Sequence, residues 1–157
     1  MNIGIIINSH SGNTTSVAQR LKEKLSSAGH TVEIEEIIPA GDIVPRKNNI
    51  ALKTRPELDK YEALIFGAPV NAFALSSAMA TFLTELSSLG NKKAACFVTK
   101  ALPFRWTGGN KAIATMKKLC ESKGAAILDT EIINWGNKSR REILIAEMVN
   151  RFIGLFN

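Results

Sequence analysis

The chain has 157 residues, 45% of them hydrophobic and 22% charged, which is the balance of one globular domain with a core, residues 1–157. No apolar run is long enough to cross a membrane, and the first residues lack the features of a signal peptide. We therefore expect a cytoplasmic protein with no membrane partner. The net charge is +6, but the basic residues are scattered and no nucleic-acid-binding motif is present, so no nucleic-acid partner is expected.

Apolar strand patterns alternate with amphipathic helix patterns in the first half of the chain. A strand is predicted over about residues 2–8, and a helix over about 13–28 that ends at Gly29. A second strand over 31–37 alternates apolar and acidic residues, which is typical of a sheet edge. Residues 39–60 contain several prolines and no clear period, and are predicted to form a loop with at most one short helix.

The alternation continues in the second half. A strand over 63–67 is apolar on both faces and is therefore predicted to be central in a parallel sheet. A helix over about 76–89 carries a Met and Phe stripe that we assign to the core. A strand over 94–98, a helix over 109–123, a strand over 125–133 and a last helix capped by Ser139 follow. Cys96 and Cys120 lack the spacing of a metal or disulfide pair and are predicted to be buried thiols.

The stretch between the first strand and the first helix is unusually rich in hydroxyl and amide groups. A helix start presents free backbone N–H groups and a positive dipole end, which suit a phosphate, and Gly12 allows the backbone to approach it closely. A helix cap needs only one polar side chain, so the surplus favours a phosphate site over capping alone. The candidate residues are Ser9, His10, Ser11, Gly12, Asn13 and Thr14.

The segment Ser9-x-Ser11-Gly12-Asn13-Thr14 resembles the phosphate loop of flavodoxins, Thr/Ser-x-Thr/Ser-Gly-Asn-Thr. The resemblance runs along nearly the whole chain and implies FMN as the cofactor. It also implies an α/β flavodoxin-like three-layer sandwich with a five-stranded parallel sheet in the order 2-1-3-4-5, which the strand and helix alternation fits. In that fold the known FMN site lies outside the carboxyl ends of strands one and three.

A second turn follows the third predicted strand, which Pro69 is expected to end. Its residues combine apolar side chains with one amide, and this mixture suits a planar aromatic ring. The alternative is that Phe73 only turns the chain onto a core helix. Gly-x-Pro-Val is similar to members of the wider flavodoxin-like group and departs from the Thr-Trp-Gly pattern of the best-known flavodoxins. The candidate residues are Pro69, Val70, Asn71, Ala72 and Phe73.

A third and longer turn spans residues 99–109, and the resemblance implies that it covers the other side of the flavin. Either Phe104 or Trp106 is expected to stack on the ring. The cations of this turn would favour a reduced anionic flavin and so a less negative potential, unless they are merely solvated. Gly108 is assigned to the site, although it also simply leads the loop into the next helix. The candidate residues are Thr99, Lys100, Ala101, Trp106 and Gly108.

The sequence contains no catalytic residue or metal site that we can assemble from spacing. Two functions remain. The first is an electron-transfer protein that serves redox protein partners. The alternative is an NAD(P)H-dependent FMN or quinone-type oxidoreductase, which NAD(P)H oxidation without a partner would reveal. A third option, an interaction domain without flavin, applies if FMN is not retained. The oligomeric state is left open, with a homodimer among the options.

Overall fold

The structure, a computed structural model, describes residues 1–101 and 108–157. Strands and helices alternate along the chain, as the patterns predict. The strands are β1 (Asn2–Ile7), β2 (Thr31–Glu36), β3 (Ala63–Asn71), β4 (Ala74–Leu75), β5 (Lys93–Lys100) and β6 (Ala126–Asn134). The helices are α1 (Asn13–Ser27), α2 (Ser77–Glu85), α3 (Gly109–Ser122) and α4 (Lys138–Leu155).

Five strands form a parallel sheet in the order β2-β1-β3-β5-β6, and the two-residue β4 pairs antiparallel with β3. The predicted order of the five parallel strands is therefore confirmed, while β4 was not predicted. Residues that alternate along a strand face opposite sides of a sheet. Accordingly, Ile5 and Ile65 pack with α1 and α4 on one face, and Leu64 and Phe66 pack with α2 and α3 on the other.

Two strand glycines make room for aromatic rings inside these layers. A Cβ on Gly4 would lie 2.5 Å from the ring of Tyr61, and a Cβ on Gly67 would overlap the ring of Phe97 on the neighbouring strand. Tyr61 and Phe97 are buried. Any side chain at either glycine would displace a core ring, and overpacking of this kind is destabilising.

Several predicted boundaries are corrected by tertiary contacts. Pro69 does not end β3, because it pairs with Thr99 of β5 and its carbonyl accepts from the backbone N–H of Ser76, 3.1 Å away. Residues 37–62 contain no helix; they are held by backbone bonds such as Lys53 N–H to Ile38 O at 2.7 Å.

The ends of two helices also differ from the prediction. α2 ends at Glu85, because Leu86 is extended and Leu89 donates its N–H to Lys123 O at 2.7 Å instead of continuing the helix. Asn137, not Ser139, caps α4: its Oδ1 accepts from the backbone N–H of Arg140 at 3.0 Å. Asparagine is among the preferred cap residues, and it precedes the first helical residue.

Candidate functional site

The turn between β1 and α1 is anchored by Asn8 at the carboxyl end of the sheet. Asn8 is 1% exposed; its backbone N–H donates to Gly67 O at 3.1 Å and its Nδ2 donates to Ile37 O at 3.0 Å. The sequence places Asn8 at the end of the first strand, but its role as the anchor of the turn was not predicted. Its signal was a polar residue directly after a buried apolar run, at the strand end where ligands of this fold class bind.

The turn then presents polar groups that have no partner within the described chain. The Oγ of Ser9 and the Oδ1 of Asn8 are buried and form no hydrogen bond with any described residue. A buried polar group without a partner is costly and calls for an unseen partner. The Ser9 hydroxyl can donate to an anion, which fits the predicted phosphate site.

The start of α1 is equally open. Gly12 has a φ of 89°, and a Cβ built on it meets no atom within 4 Å. No described side chain caps the helix, and its first turn contains no acidic residue. Four N–H groups at a helix start lack helical partners, and they favour an anion electrostatically. The backbone at Asn13 and Thr14 is therefore available to a phosphate.

A two-residue hairpin turn joins β3 to β4 at the second predicted segment. Asn71 pairs with Ala74, and the two residues between them both have positive φ, 48° at Ala72 and 64° at Phe73. This is the conformation of a type I′ turn, for which Asn-Gly is strongly preferred. Phe73 is 46% exposed, so its side chain does not turn into the core.

We predict that replacing Ala72-Phe73 with Asn-Gly stabilises the chain by about 1–2 kcal/mol, because asparagine and glycine adopt positive φ with less backbone strain than alanine and phenylalanine. Urea unfolding of the flavin-free chain measures the change. Phe73→Ala is the matched control, since it removes the ring and keeps a non-glycine residue at positive φ. A gain in the control equal to that of the double variant would show that backbone strain is not the cause.

Hydrogen bonds connect this hairpin to its neighbours. The His10 Nε2 lies 2.9 Å from the Asn71 Nδ2, which joins the first turn to the second. The Arg46 Nε donates to Ala72 O at 2.9 Å. Arg46 was missed because residues 39–60 show no periodicity, and no sequence signal links it to the hairpin. Partial burial lowers the pKa of His10 from its usual value.

The pKa shift of His10 predicts a pH dependence of stability. The folded chain binds this proton less tightly than the unfolded chain, so the contribution of His10 is fully present above about pH 6.5 and is lost as the pH falls below it. An NMR titration of the His10 ring measures the pKa directly. His10→Gln should make the urea midpoint less dependent on pH between about pH 5 and 7.5. A His10 midpoint at or above 6.5 would contradict the prediction.

The third segment meets both of the others. The hydroxyl groups of Thr14 and Thr99 are buried and 3.0 Å apart, which connects α1 to the end of β5. Gly108 has a φ of 105°, and a Cβ there would lie 2.5 Å from the backbone C, Cα and O of Phe73. Gly108 thus permits α3 to begin directly against the hairpin, a role beyond releasing a loop into a helix.

The remaining residues of this segment are placed unevenly. Lys100 is 5% exposed and its stem packs beside Gly109. The alternative that the cations of this turn are merely solvated therefore does not hold for Lys100. Ala101 is exposed at the edge of the site. The predicted stacking residues Phe104 and Trp106, and the cation Arg105, lie outside the described residues.

The predicted residues therefore converge at the carboxyl edge of the sheet through contacts between Thr14 and Thr99, His10 and Asn71, and Gly108 and Phe73. Among the described residues, no group of His, Cys, Asp and Glu side chains is arranged to hold a metal. Both cysteines are buried and free, as predicted. No described helix is long and apolar enough to cross a bilayer.

Comparison with known proteins identifies the architecture. The sequence of residues 4–125 matches the family described as Flavodoxin domain, which is most of the chain. The chain belongs to the flavodoxin domain family. No curated protein sequence matches this flavodoxin domain.

Solved structures show the same fold at low sequence identity. Flavodoxin 1 from Bacillus cereus is 18% identical, with a TM-score of 0.72 and coverage of 100% of both chains. A flavodoxin from Streptococcus pneumoniae TIGR4 is 15% identical, with a TM-score of 0.70 and coverage of 96% of both chains. A flavoprotein from Lactobacillus acidophilus NCFM, solved in complex with FMN, is 14% identical with a TM-score of 0.65, and covers 91% of this flavodoxin domain and 97% of its own chain.

Proposed function

We propose that the chain binds FMN at the three-turn site and acts as an electron-transfer protein. The observation that carries this proposal is the start of α1, where an uncapped helix without an acid in its first turn adjoins the buried, unpartnered Ser9 hydroxyl. A dianionic phosphate supplies the acceptor that both features lack. When bound, FMN supplies one- and two-electron chemistry, and the protein contributes binding, orientation and tuning.

Different residues of the chain would bind the phosphate and the flavin ring. The Ser9 and Ser11 hydroxyls, with the backbone at Gly12, Asn13 and Thr14, would hold the phosphate. The hairpin residues Val70 to Phe73 would border one side of the flavin ring and present a polar edge at Asn71. The segment that begins at Thr99 would border the other side, with either Phe104 or Trp106 as the predicted stacking residue. Two findings support this assignment: the chain belongs to the flavodoxin domain family, and the structurally similar Lactobacillus acidophilus flavoprotein was solved in complex with FMN.

The strain at Ala72 and Phe73 supports the same placement. Non-glycine residues at positive φ persist only where surrounding contacts impose them, and they cluster at functional sites. Here the Arg46 bond to Ala72 O and the contact of Gly108 with Phe73 impose the conformation. The result is an exposed aromatic side chain beside the proposed phosphate site.

A titration of the flavin-free chain with FMN tests the proposal. Binding should quench the flavin fluorescence with one site per chain, and riboflavin, which lacks the phosphate, should bind at least about tenfold more weakly. Equal affinity for the two flavins would refute the phosphate site, and absence of binding would refute the cofactor.

A second measurement distinguishes the electron-transfer protein from the alternative, an NAD(P)H-dependent FMN or quinone-type oxidoreductase. The FMN-loaded chain is mixed with NADH or NADPH under anaerobic conditions, and the flavin absorbance is followed. The proposed carrier should stay oxidised until a reductase is added. Rapid bleaching without a reductase would establish the oxidoreductase instead.

A further inference from the structure

Two of the four helices begin with cations, which is opposite to what the helix dipole favours. Because the strands are parallel, α1, α2, α3 and α4 all begin at the carboxyl edge of the sheet, and none has an acidic residue in its first turn. Instead, Lys111 lies in the first turn of α3, and Lys138 and Arg140 lie in that of α4. Cations at these ends are unfavourable, and acids are favourable.

These cations are not neutralised by neighbouring acids. Lys111, Lys138 and Arg140 are exposed, and none forms an ion pair with a described residue. Glu142, two residues after Arg140, already pairs with Arg20 at 2.5 Å and with Arg141 at 3.8 Å.

Two more cations lie across the site. The Arg46 guanidinium reaches the β3–β4 hairpin, and the backbone of Lys47 is bonded to Ser77 at the start of α2. We name these positive groups together the cationic rim. Its members are Arg46, Lys47, Lys111, Lys138 and Arg140.

A groove of about 760 Å³ opens within the α4 side of this rim. Its charged lining residues are Arg140, Arg141 and Glu147, and Ile143 and Leu144 are its apolar ones. Ile143 is 61% exposed and supplies apolar surface at the groove. The groove is adjacent to the third segment of the site, because Trp135 N–H donates to Lys100 O at 2.8 Å. It thus combines an apolar centre with a border of two arginines and one glutamate, next to the end of β5.

We propose that the cationic rim and this groove dock an acidic redox protein that presents an apolar side chain to Ile143. The proposal rests on the proposed electron-transfer function. An apolar centre within a polar border is the anatomy of a protein–protein interface. The alternative occupant, nucleic acid, is less favoured because no aromatic residue is among the described residues that line the groove, and the nearby Trp135 ring is already contacted by Arg141, 4.5 Å from its centre.

Binding to haem proteins of opposite charge tests the proposal. The ¹⁵N-labelled, FMN-loaded chain is titrated with the acidic soluble domain of cytochrome b5, with basic cytochrome c and with an oligothymidylate. Cytochrome b5 should shift the amide signals of Lys138, Arg140 and Ile143, and its affinity should fall at least about fivefold between about 20 and 200 mM salt. Cytochrome c should not bind this face. Tighter binding of the oligothymidylate at the same amides would overturn the proposal in favour of nucleic acid.

Charge-reversal variants distinguish binding at this surface from a general effect of the chain's net charge. Arg140→Glu should weaken cytochrome b5 binding about tenfold and should not lower the thermal midpoint, because it places an acid in the first turn of α4. Lys93→Glu makes the same charge change at the amino end of β5, and should alter binding less than about twofold. Equal losses in the two variants, or signals shifted away from the rim, would overturn the proposal. The binding assay can also be read without flavin, so a failure to retain FMN is distinguishable from a failure of docking.

Discussion

Asn13→Asp is expected to weaken FMN binding by about 10- to 100-fold and to leave the flavin-free chain equally or more stable. The new carboxylate would repel the phosphate dianion; at an effective dielectric of about 20, two unit charges about 6 Å apart interact by roughly 3 kcal/mol before screening. The same carboxylate is favourable at the first residue of α1, by about 0.3–1 kcal/mol. Fluorescence titration and urea unfolding measure the two effects.

Opposite signs in affinity and stability distinguish this prediction from simple damage to the fold. Asn150→Asp is the matched control, because it introduces the same charge at an exposed position near the end of α4 and should leave FMN binding unchanged. Unchanged FMN affinity in Asn13→Asp would show that the start of α1 does not hold the phosphate. The three-layer fold would then stand without an assigned ligand.

Gly108→Ala is expected to lower the free energy of unfolding by about 2–4 kcal/mol. One part is the strain of a non-glycine residue at positive φ, and the other is overpacking against the hairpin. The atoms in the way belong to the backbone of Phe73, which cannot rotate aside as a side chain would. The β3–β4 hairpin and the start of α3 must therefore separate, and FMN affinity should fall with stability.

Gly29→Ala is the control for Gly108→Ala. Gly29 has a φ of 97°, but a Cβ there meets no atom within 4 Å, so only the strain of about 1 kcal/mol applies. Its FMN affinity should be unchanged, since Gly29 follows the far end of α1. If the two variants lost equal stability, the contact between Gly108 and Phe73 would have no energetic weight.

The central position of one strand and the edge position of another could be predicted from burial patterns in neighbouring residues, while the full strand order was implied by the resemblance to flavodoxins. The apolar run of residues 63–67 predicts a central strand, and the alternation of residues 31–37 predicts an edge strand, where β2 indeed lies. Each pattern depends on which faces of a strand are exposed to water, and the hydropathy of adjacent residues indicates this. The hydroxyl-rich turn at Ser9 to Thr14 was found for a similar reason, since strand, turn and helix follow one another in the chain.

The limits of prediction appear where a residue's conformation depends on distant contacts. The strand β4 and the positive φ of Ala72 and Phe73 had no local signal, because Ala-Phe is a poor type I′ turn. That turn is imposed by Arg46 and Gly108, which lie 26 residues before Ala72 and far along the chain after it. Pro69 was read as a strand end because proline lacks an N–H, yet pairing with Thr99 keeps it in β3.

From residues and spacing alone follow the parallel sheet, its edge strand and the polar start of α1, because hydropathy period and turn chemistry act over a few neighbouring residues. Only the folded chain decides that Thr14 meets Thr99, that His10 meets Asn71 and that Gly108 abuts Phe73. The cationic rim is likewise decided by the tertiary structure. Lys111, Lys138 and Arg140 look scattered in the sequence but lie at one edge, because parallel strands direct every helix start to the same side.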